Sequence, residues 1–509
     1  MKKIAFLLVI AVSSLLLGCS SSMDMEMGIY STTMMYNVAQ SPENSEEYQE
    51  ISENQFISTT DMPVSTFSAD VDTAAYSIIR KKLMNEDLPN RNSVRIEEML
   101  NYFSYDLDTP DGDEIIHVTK ELGTAPWNED HQLLMMGLKT EAIVYEDAIP
   151  SNLVFLLDVS GSMNDSDKLP LLKQAILLLV DELRPADRIS IVVYAGQAGV
   201  ILDGADGGDK ESIIDAINSL EAGGSTAGGA GINLAYSLAA SNYIEGGNNR
   251  VILATDGDFN VGVSSEAELE ELITIKKDSG IFLSVCGFGF GNLKDNKMET
   301  LADKGNGVYY YIDSLLEAKK VFVEELGGTL LTVAKDVKLQ VEFNPALVKG
   351  YRLIGYENRI LNYYDFNNDE VDAGDLGAGH EVIVLYEIIP FDSDEVIDPV
   401  TYEIPEDLKY DGVNYPDELL TLSIRYKEPD SDVSELTEHI VYSNEFTETP
   451  SDNFVFASCV AEFGLLLLDS DYKYEANYNN IIVAASNVYN DDYKEEFIEL
   501  VRIAQRLND

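Results

Sequence analysis

Between about Leu153 and Leu326 the chain alternates short apolar runs with longer segments of helical spacing, and this alternation constrains the fold more than any other feature. The apolar runs "LVFLLD", "RISIVVY", "VILATD", "IFLSVCGFG" and "VYYYID" have strand length. Segments such as "KLPLLKQAILLLVDELR" and "INLAYSLAASNYI" lie between them and carry helical periodicity. Parallel strands cannot be joined by a tight turn; they need a crossover, usually a helix. The pattern therefore predicts a doubly wound, Rossmann-like α/β domain with a central, mostly parallel sheet.

A chain of 509 residues is too long for one ordinary core, and the flanks of the alternating segment have a different character. Residues 20–55 are polar and aperiodic, which predicts a flexible tether; Met23, Met25 and Met27 alternate within it but read as tether rather than as thioether ligands. Residues 56–148 predict two short amphipathic helices, one starting near Asp72 as N-cap and one near Ser93, with "LPNRN" as the turn, then the strands "IIHVTKEL" and "LLMMGLK". The α/β domain covers 149–328. Strand-like runs without intervening helices make 329–450 a β-rich domain, and 451–509 returns to helical spacing. Strands on both sides of the α/β domain suggest that it is inserted into one discontinuous β domain.

The opening "MKKIAFLLVIAVSSLLLGCSSS" has a basic start, an apolar run and a small residue before Cys19, the pattern of an export signal. Its apolar run is short for a membrane span. Residues 1–19 resemble a bacterial lipoprotein signal peptide whose lipobox is Leu16, Leu17, Gly18 and Cys19. That resemblance implies cleavage before Cys19, lipid (palmitate among it) on the new terminus, and an extracytoplasmic protein anchored to the cell envelope. Ser20 in place of an aspartate favours the outer membrane where the cell has one. Cys286 and Cys459 lie in apolar segments and read as core residues, with a disulfide between them left open. The 90 Asp and Glu against 34 Lys and Arg give a charge of −56, a field that repels phosphate backbones and speaks against nucleic acid as a partner.

In a doubly wound sheet, ligands sit beyond the carboxyl ends of the strands. "FLLDVSGSM" places Asp158, Ser160 and Ser162 there, an all-oxygen set suited to a hard cation. "VILATDGDFN" ends another strand in Asp256, and "GGSTAGGAGI" offers Thr226 in a glycine-rich loop. In order and spacing these pieces resemble the metal-ion-dependent adhesion site of the von Willebrand factor type A domain. The resemblance assigns Asp158, Ser160, Ser162, Thr226 and Asp256 to the metal, with Mg²⁺, Mn²⁺ or Ca²⁺ as cofactor and a carboxylate of a partner protein as the remaining ligand. Asp258 is a candidate extra ligand, against the plainer reading of a solvated loop aspartate. "PVSTFSADVDTAAY", "VRIEEMLNYF", "LADKGNGVYYYID" and "FASCVAEFGLLLLDSDY" extend the resemblance to a group of bacterial lipoproteins in which family-specific regions flank the type A domain.

Neutral hydroxyl ligands leave a divalent ion electrophilic towards an incoming anion, which suits adhesion. Catalysis would need a base or acid beside the metal. None of His117, His131, His380 and His439 lies near these loops in sequence, and no nucleophile elbow or phosphate-binding loop with lysine is present. The expectation is a binding protein rather than an enzyme. An envelope scaffold in which the metal only ties loops together is the alternative, and a metal-dependent hydrolase the third reading. Asp365, Asn367 and Asp369 alternate like the opening of a calcium loop, but Glu370 stands where such a loop needs glycine, so an acidic β connection is the first reading.

Overall fold

A computed structural model describes residues 46–508 except 113, 144–147, 225–227, 258, 260–265, 326–327, 329, 401, 403, 411–414, 430 and 489–490. Cys19, the tether methionines, Thr226 and Asp258 lie outside the described residues. The N-terminal region comprises β1 (Ile57–Ser58), β2 (Val64–Ser68), α1 (Ala74–Met84), α2 (Ile96–Asn101), β3 (Ile116–Ala125) and β4 (Asn128–Thr140). Both helix starts fall later than the sequence suggests. Thr73, not Asp72, is the N-cap of α1, and it makes no side-chain cap bond. The Asp72 carboxylate turns away and accepts a hydrogen bond from Tyr309 N at 2.8 Å. Ser93 ends a 3-10 turn, Arg91–Ser93, and α2 starts beyond it.

The alternating segment folds into β5 (Ser151–Asp158), α3 (Leu169–Glu182), β6 (Arg188–Tyr194), β7 (Ala198–Asp206), α4 (Lys210–Asn218), α5 (Gly228–Ser241), β8 (Asn248–Thr255), α6 (Glu266–Asp278), β9 (Phe282–Phe288), α7 (Asp295–Lys304), β10 (Tyr309–Ile312) and α8 (Leu315–Lys319). The sheet order is β10-β9-β8-β5-β6-β7. All neighbours are parallel except β7, which is antiparallel to β6. Every residue of β5 and of β8 is buried, because helices cover both faces of a parallel sheet. Leu153, Phe155 and Leu157 pack with Leu172, Ile176 and Leu179 of α3. The alternate residues Val154 and Leu156 pack with Ile232, Ala235 and Ala239 of α5. The period of two along β5 thus places consecutive residues in opposite cores.

The chain continues through β11 (Thr332–Phe343), β12 (Val348–Ile354), β13 (Gly374–Gly377), β14 (Glu381–Pro390), β15 (Glu418–Lys427) and β16 (Glu435–Tyr442), then three helices, α9 (Asp452–Leu467), α10 (Tyr478–Ala485) and α11 (Asp492–Asn508). One sheet runs β1-β12-β14-β4-β3; the other runs β13-β11-β15-β16, with β2 also paired to β11. Strands from before and after the α/β domain therefore share both sheets, and the α/β domain is an insertion in a discontinuous β domain. The two sheets face one another through Leu134, Met136, Leu339, Phe343, Val384 and Leu422. The alternate residues of β4 and β14, Leu133, Met135, Ile383 and Leu385, point the other way into a helical core with Leu100, Phe456, Val460 and Val501. Cys286 and Cys459 are buried free thiols in separate cores, so no disulfide joins them.

Candidate metal centre

β5 and β8 are adjacent and in register, with Leu157 opposite Ala254, so Asp158 and Asp256 emerge side by side at the carboxyl edge of the sheet. Strand order reverses here, since β6 and β7 lie on one side of β5 and β8, β9 and β10 on the other. That crevice is where a doubly wound sheet binds ligands. Asp158, Ser160 and Asp256 are buried, whereas Ser162 is exposed and opens the site to solvent.

Backbone bonds fix the serine turn. Val159 N donates to Tyr194 O at 3.0 Å, Gly161 N to Gly224 O at 3.1 Å, and Gly223 N to Val159 O at 2.7 Å. The described end of the glycine-rich loop is thereby joined to the serine turn. Ser160 N donates to Asp158 Oδ1 at 2.8 Å, and the Ser160 and Ser162 hydroxyls lie 2.9 Å apart. After Asp256 the chain turns through Gly257 at φ 109°, where a Cβ would meet Asn292 O at 2.2 Å.

Two oxygens decide what this arrangement can hold. Asp158 Oδ2 and Asp256 Oδ1 are buried and accept no well-formed hydrogen bond from the described residues, although the buried Tyr194 hydroxyl lies close enough to Asp158 to hold its pKa down somewhat. A buried carboxylate oxygen without a donor is costly, and a cation is the partner that two of them beside two hydroxyls would share. Burial pushes the Asp158 carboxyl up to about 6; hydrogen bonds from Ser160 oppose that rise, and the negative charge of Asp256 adds to it. The donor set fits a hard divalent ion, which would be held by Asp158, Ser160, Ser162 and Asp256 among the described residues.

Sequence reasoning missed Lys168. Its Nζ donates to Asp256 Oδ2 at 2.9 Å, and the pair is almost fully buried. The lysine stem passes so close to Gly289 that a Cβ there would lie 2.2 Å from Lys168 Cε. Lys168 occupies the N-cap position of α3, where the helix dipole disfavours a cation; an out-of-place lysine ten residues or so beyond a strand-end aspartate was the available signal. None of the four histidines belongs to the site. His117, His131 and His439 lie on β3, β4 and β16, and His380 precedes β14. His131 is held between Glu387 Oε1 and Glu395 Oε2, each 2.7 Å from a ring nitrogen, and these carboxylates raise its pKa against the effect of burial. The alternating residues of the acidic connection are taken by protein partners: Asp365 caps its own 3-10 turn, Asn367 accepts from Arg425, and Asp369 accepts from Ser434.

Family models described as "von Willebrand factor", "von Willebrand factor type A domain" and "Uncharacterized protein YfbK, C-terminal" match residues 42–135, 152–324 and 328–507. Uncharacterized protein YfbK of Escherichia coli (strain K12) is 41% identical over 472 residues, covering 91% of this chain and 81% of that protein. Uncharacterized protein sll0103 of Synechocystis is 27% identical over 257 residues, covering 50% of this chain and 60% of its own length. A solved von Willebrand factor type A structure from Catenulispora acidiphila is 16% identical, with a TM-score of 0.42, covering 76% of this chain and 89% of that one. Type A domains typically bind a divalent metal at their adhesion site, as in a solved mussel byssus matrix protein with zinc there, and mediate protein–protein interaction, often through that metal. The chain belongs to the family of the bacterial protein YfbK, built around a von Willebrand factor type A domain.

Proposed function

We propose that this protein is a lipid-anchored, extracytoplasmic envelope protein that binds Mg²⁺ at Asp158, Ser160, Ser162, Thr226 and Asp256 and, through it, a carboxylate of a partner protein. The observation that carries the reading is the pair of buried oxygens, Asp158 Oδ2 and Asp256 Oδ1, without a donor among the described residues and behind an exposed serine. When bound, the ion supplies a positive centre that a partner's acidic side chain can approach from the Ser162 side. The chain's own residues exclude water from the carboxylates, fix the serine turn by backbone bonds, and offer a competing ammonium at Lys168. No histidine of the described residues stands at this site, and metal-mediated binding rather than turnover is the proposed activity. The chain's net charge of −56 opposes an acidic partner at long range, which makes the local attraction of the metal essential and the encounter slower at low salt.

The test is capture from the cell's own envelope fraction by the chain after Cys19 and by its Asp158→Ala form, each with Mg²⁺ and with chelator. A protein retained only by the unaltered chain with Mg²⁺ supports the reading. Equal capture in all four conditions contradicts metal-mediated adhesion and leaves a scaffold role for the site.

A further inference from the structure

A second oxygen cluster lies where the N-terminal region, the type A domain and the β domain meet. Asp70 and Asp72 follow β2, and Glu98 sits on α2. One carboxylate oxygen from each lies within 4.8 Å of the other two. All three residues are at least nine-tenths buried, with exposures of 5%, 2% and 0%. Oxygens bound to one Ca²⁺ at about 2.3–2.6 Å can stand up to about 5 Å apart, so one ion can touch all three.

The cations already present do not balance this cluster. Arg359 reaches Asp70 Oδ1 and Asp72 Oδ2, both at 3.2 Å, and also Asp303 at 2.8 Å and Glu299 at 3.9 Å. Arg95 pairs with Glu98 and with Asp295 at 2.6 Å, and stands 3.9 Å from Glu299. Among the described residues two guanidinium groups thus serve Asp70, Asp72, Glu98, Asp295, Glu299 and Asp303, and Lys304 also acts on the partly exposed Asp303. Among the described residues Asp70 Oδ2 is buried without a hydrogen-bond donor, as is Glu299 Oε2, whereas both oxygens of Asp72 and of Glu98 accept hydrogen bonds, Glu98 from Arg95 and Ala75 N. Burial raises Asp72 well above the usual carboxylate range, and the charge of Asp70 raises it further; burial also raises Glu98, Asp303 and, to about 8, Glu299. A cation placed among these oxygens would offset the crowding of negative charge that the two guanidinium groups leave. A cavity of about 220 Å³, lined by Asp70, Asp72, Asp303 and Asn358 together with Arg359 and Lys304, adjoins the two aspartates of the cluster.

We propose that Asp70, Asp72 and Glu98 bind a structural Ca²⁺ ion. Ca²⁺ suits a buried site with several carboxylate ligands, whereas Mg²⁺ dehydrates reluctantly. The ion joins parts distant in sequence, since Asp72 also accepts from Tyr309 N on β10 and Arg359 follows β12. This site shares no residue with Asp158 or Asp256, so it stands whether or not the adhesion reading does.

Equilibrium dialysis against Ca²⁺ alone, at about 0.15 M KCl to screen surface charge, tests it on full-length chains. The Asp158→Ala chain should still take up one Ca²⁺ in a saturable step, and adding Asp70→Asn should weaken that uptake at least tenfold. Equal uptake by the single and double variants overturns the proposal. A second reading does not depend on the double variant folding: Ca²⁺ at about 100 times its Kd should raise the folded-to-unfolded ratio of Asp158→Ala about 100-fold over chelator. An unchanged melting midpoint overturns the proposal equally.

Discussion

Two residues at the edge of the type A sheet set the terms on which a metal enters. Lys168 neutralises Asp256, so a divalent ion competes with an ammonium group already in place. Lys168→Met removes that competitor and leaves Asp256 buried without its counter-charge. In chelator the variant should lose about 3 kcal/mol of stability, the cost of breaking a buried pair, while its Mg²⁺ affinity rises; denaturation and calorimetric titration read the two effects separately. Asp158 adds a proton as second competitor. Its folded-state value of about 6 lies above the unfolded carboxylate value of about 3.9, so its contribution to stability is fully present below about pH 4 and is lost as pH rises through 6. Mg²⁺ needs the ionised form, and its affinity should fall about tenfold between pH 7.5 and pH 5 in the same titration. A single strand ending in a small polar turn is common; the aspartates and serines were legible because three such loops carry them in the order and spacing of the type A adhesion site. Lys168 was not, because a lysine beside a loop is ordinarily solvated and only the fold brings it back to Asp256.

At the level of elements, legibility followed burial. β5, β6, β8, β9 and β10 announce themselves as continuous apolar runs, since both of their faces are covered. The edge strand β7 and the mostly solvent-facing β16 carry no such run, and neither was expected from sequence. The Asp72 cap failed for a related reason: a local helix rule was overridden by a long-range bond to Tyr309 N. The turn after β8 yields a prediction at this scale. Gly257 has a positive φ and no room for a Cβ against Asn292 O. Gly257→Ala should cost about 2 kcal/mol or more by chemical denaturation and shift Asp256 enough to weaken Mg²⁺ binding, whereas Gly291→Ala, at φ 86° but in open space, should be milder.

For the whole molecule, the insertion of the type A domain makes its position a matter of buried charge as well as apolar packing. Arg80 on α1 reaches Asp313 Oδ1 at 2.5 Å and Glu317 Oε2 at 2.7 Å in the type A domain, and Glu496 Oε1 at 3.1 Å on α11. Its Nη1 also donates to the Tyr102 hydroxyl at 2.6 Å. Arg80→Ala strands several buried carboxylates at once and should cost about 3–5 kcal/mol by denaturation. The discontinuous β domain was legible only as strands on both sides of the insertion; which strands pair is decided by sequence-distant contacts such as those of β2 with β11 and β4 with β14. Among the described residues no helix is long and apolar enough to cross a membrane.

Whether Asp158 and Asp256 hold a divalent ion is read by calorimetric titration of Mg²⁺ into the unaltered chain and into Asp158→Ala. The unaltered chain should show a single saturable Mg²⁺ step at pH 7.5 that is absent from a folded Asp158→Ala. The same step in both chains, or none in the unaltered chain, contradicts metal binding by this pair.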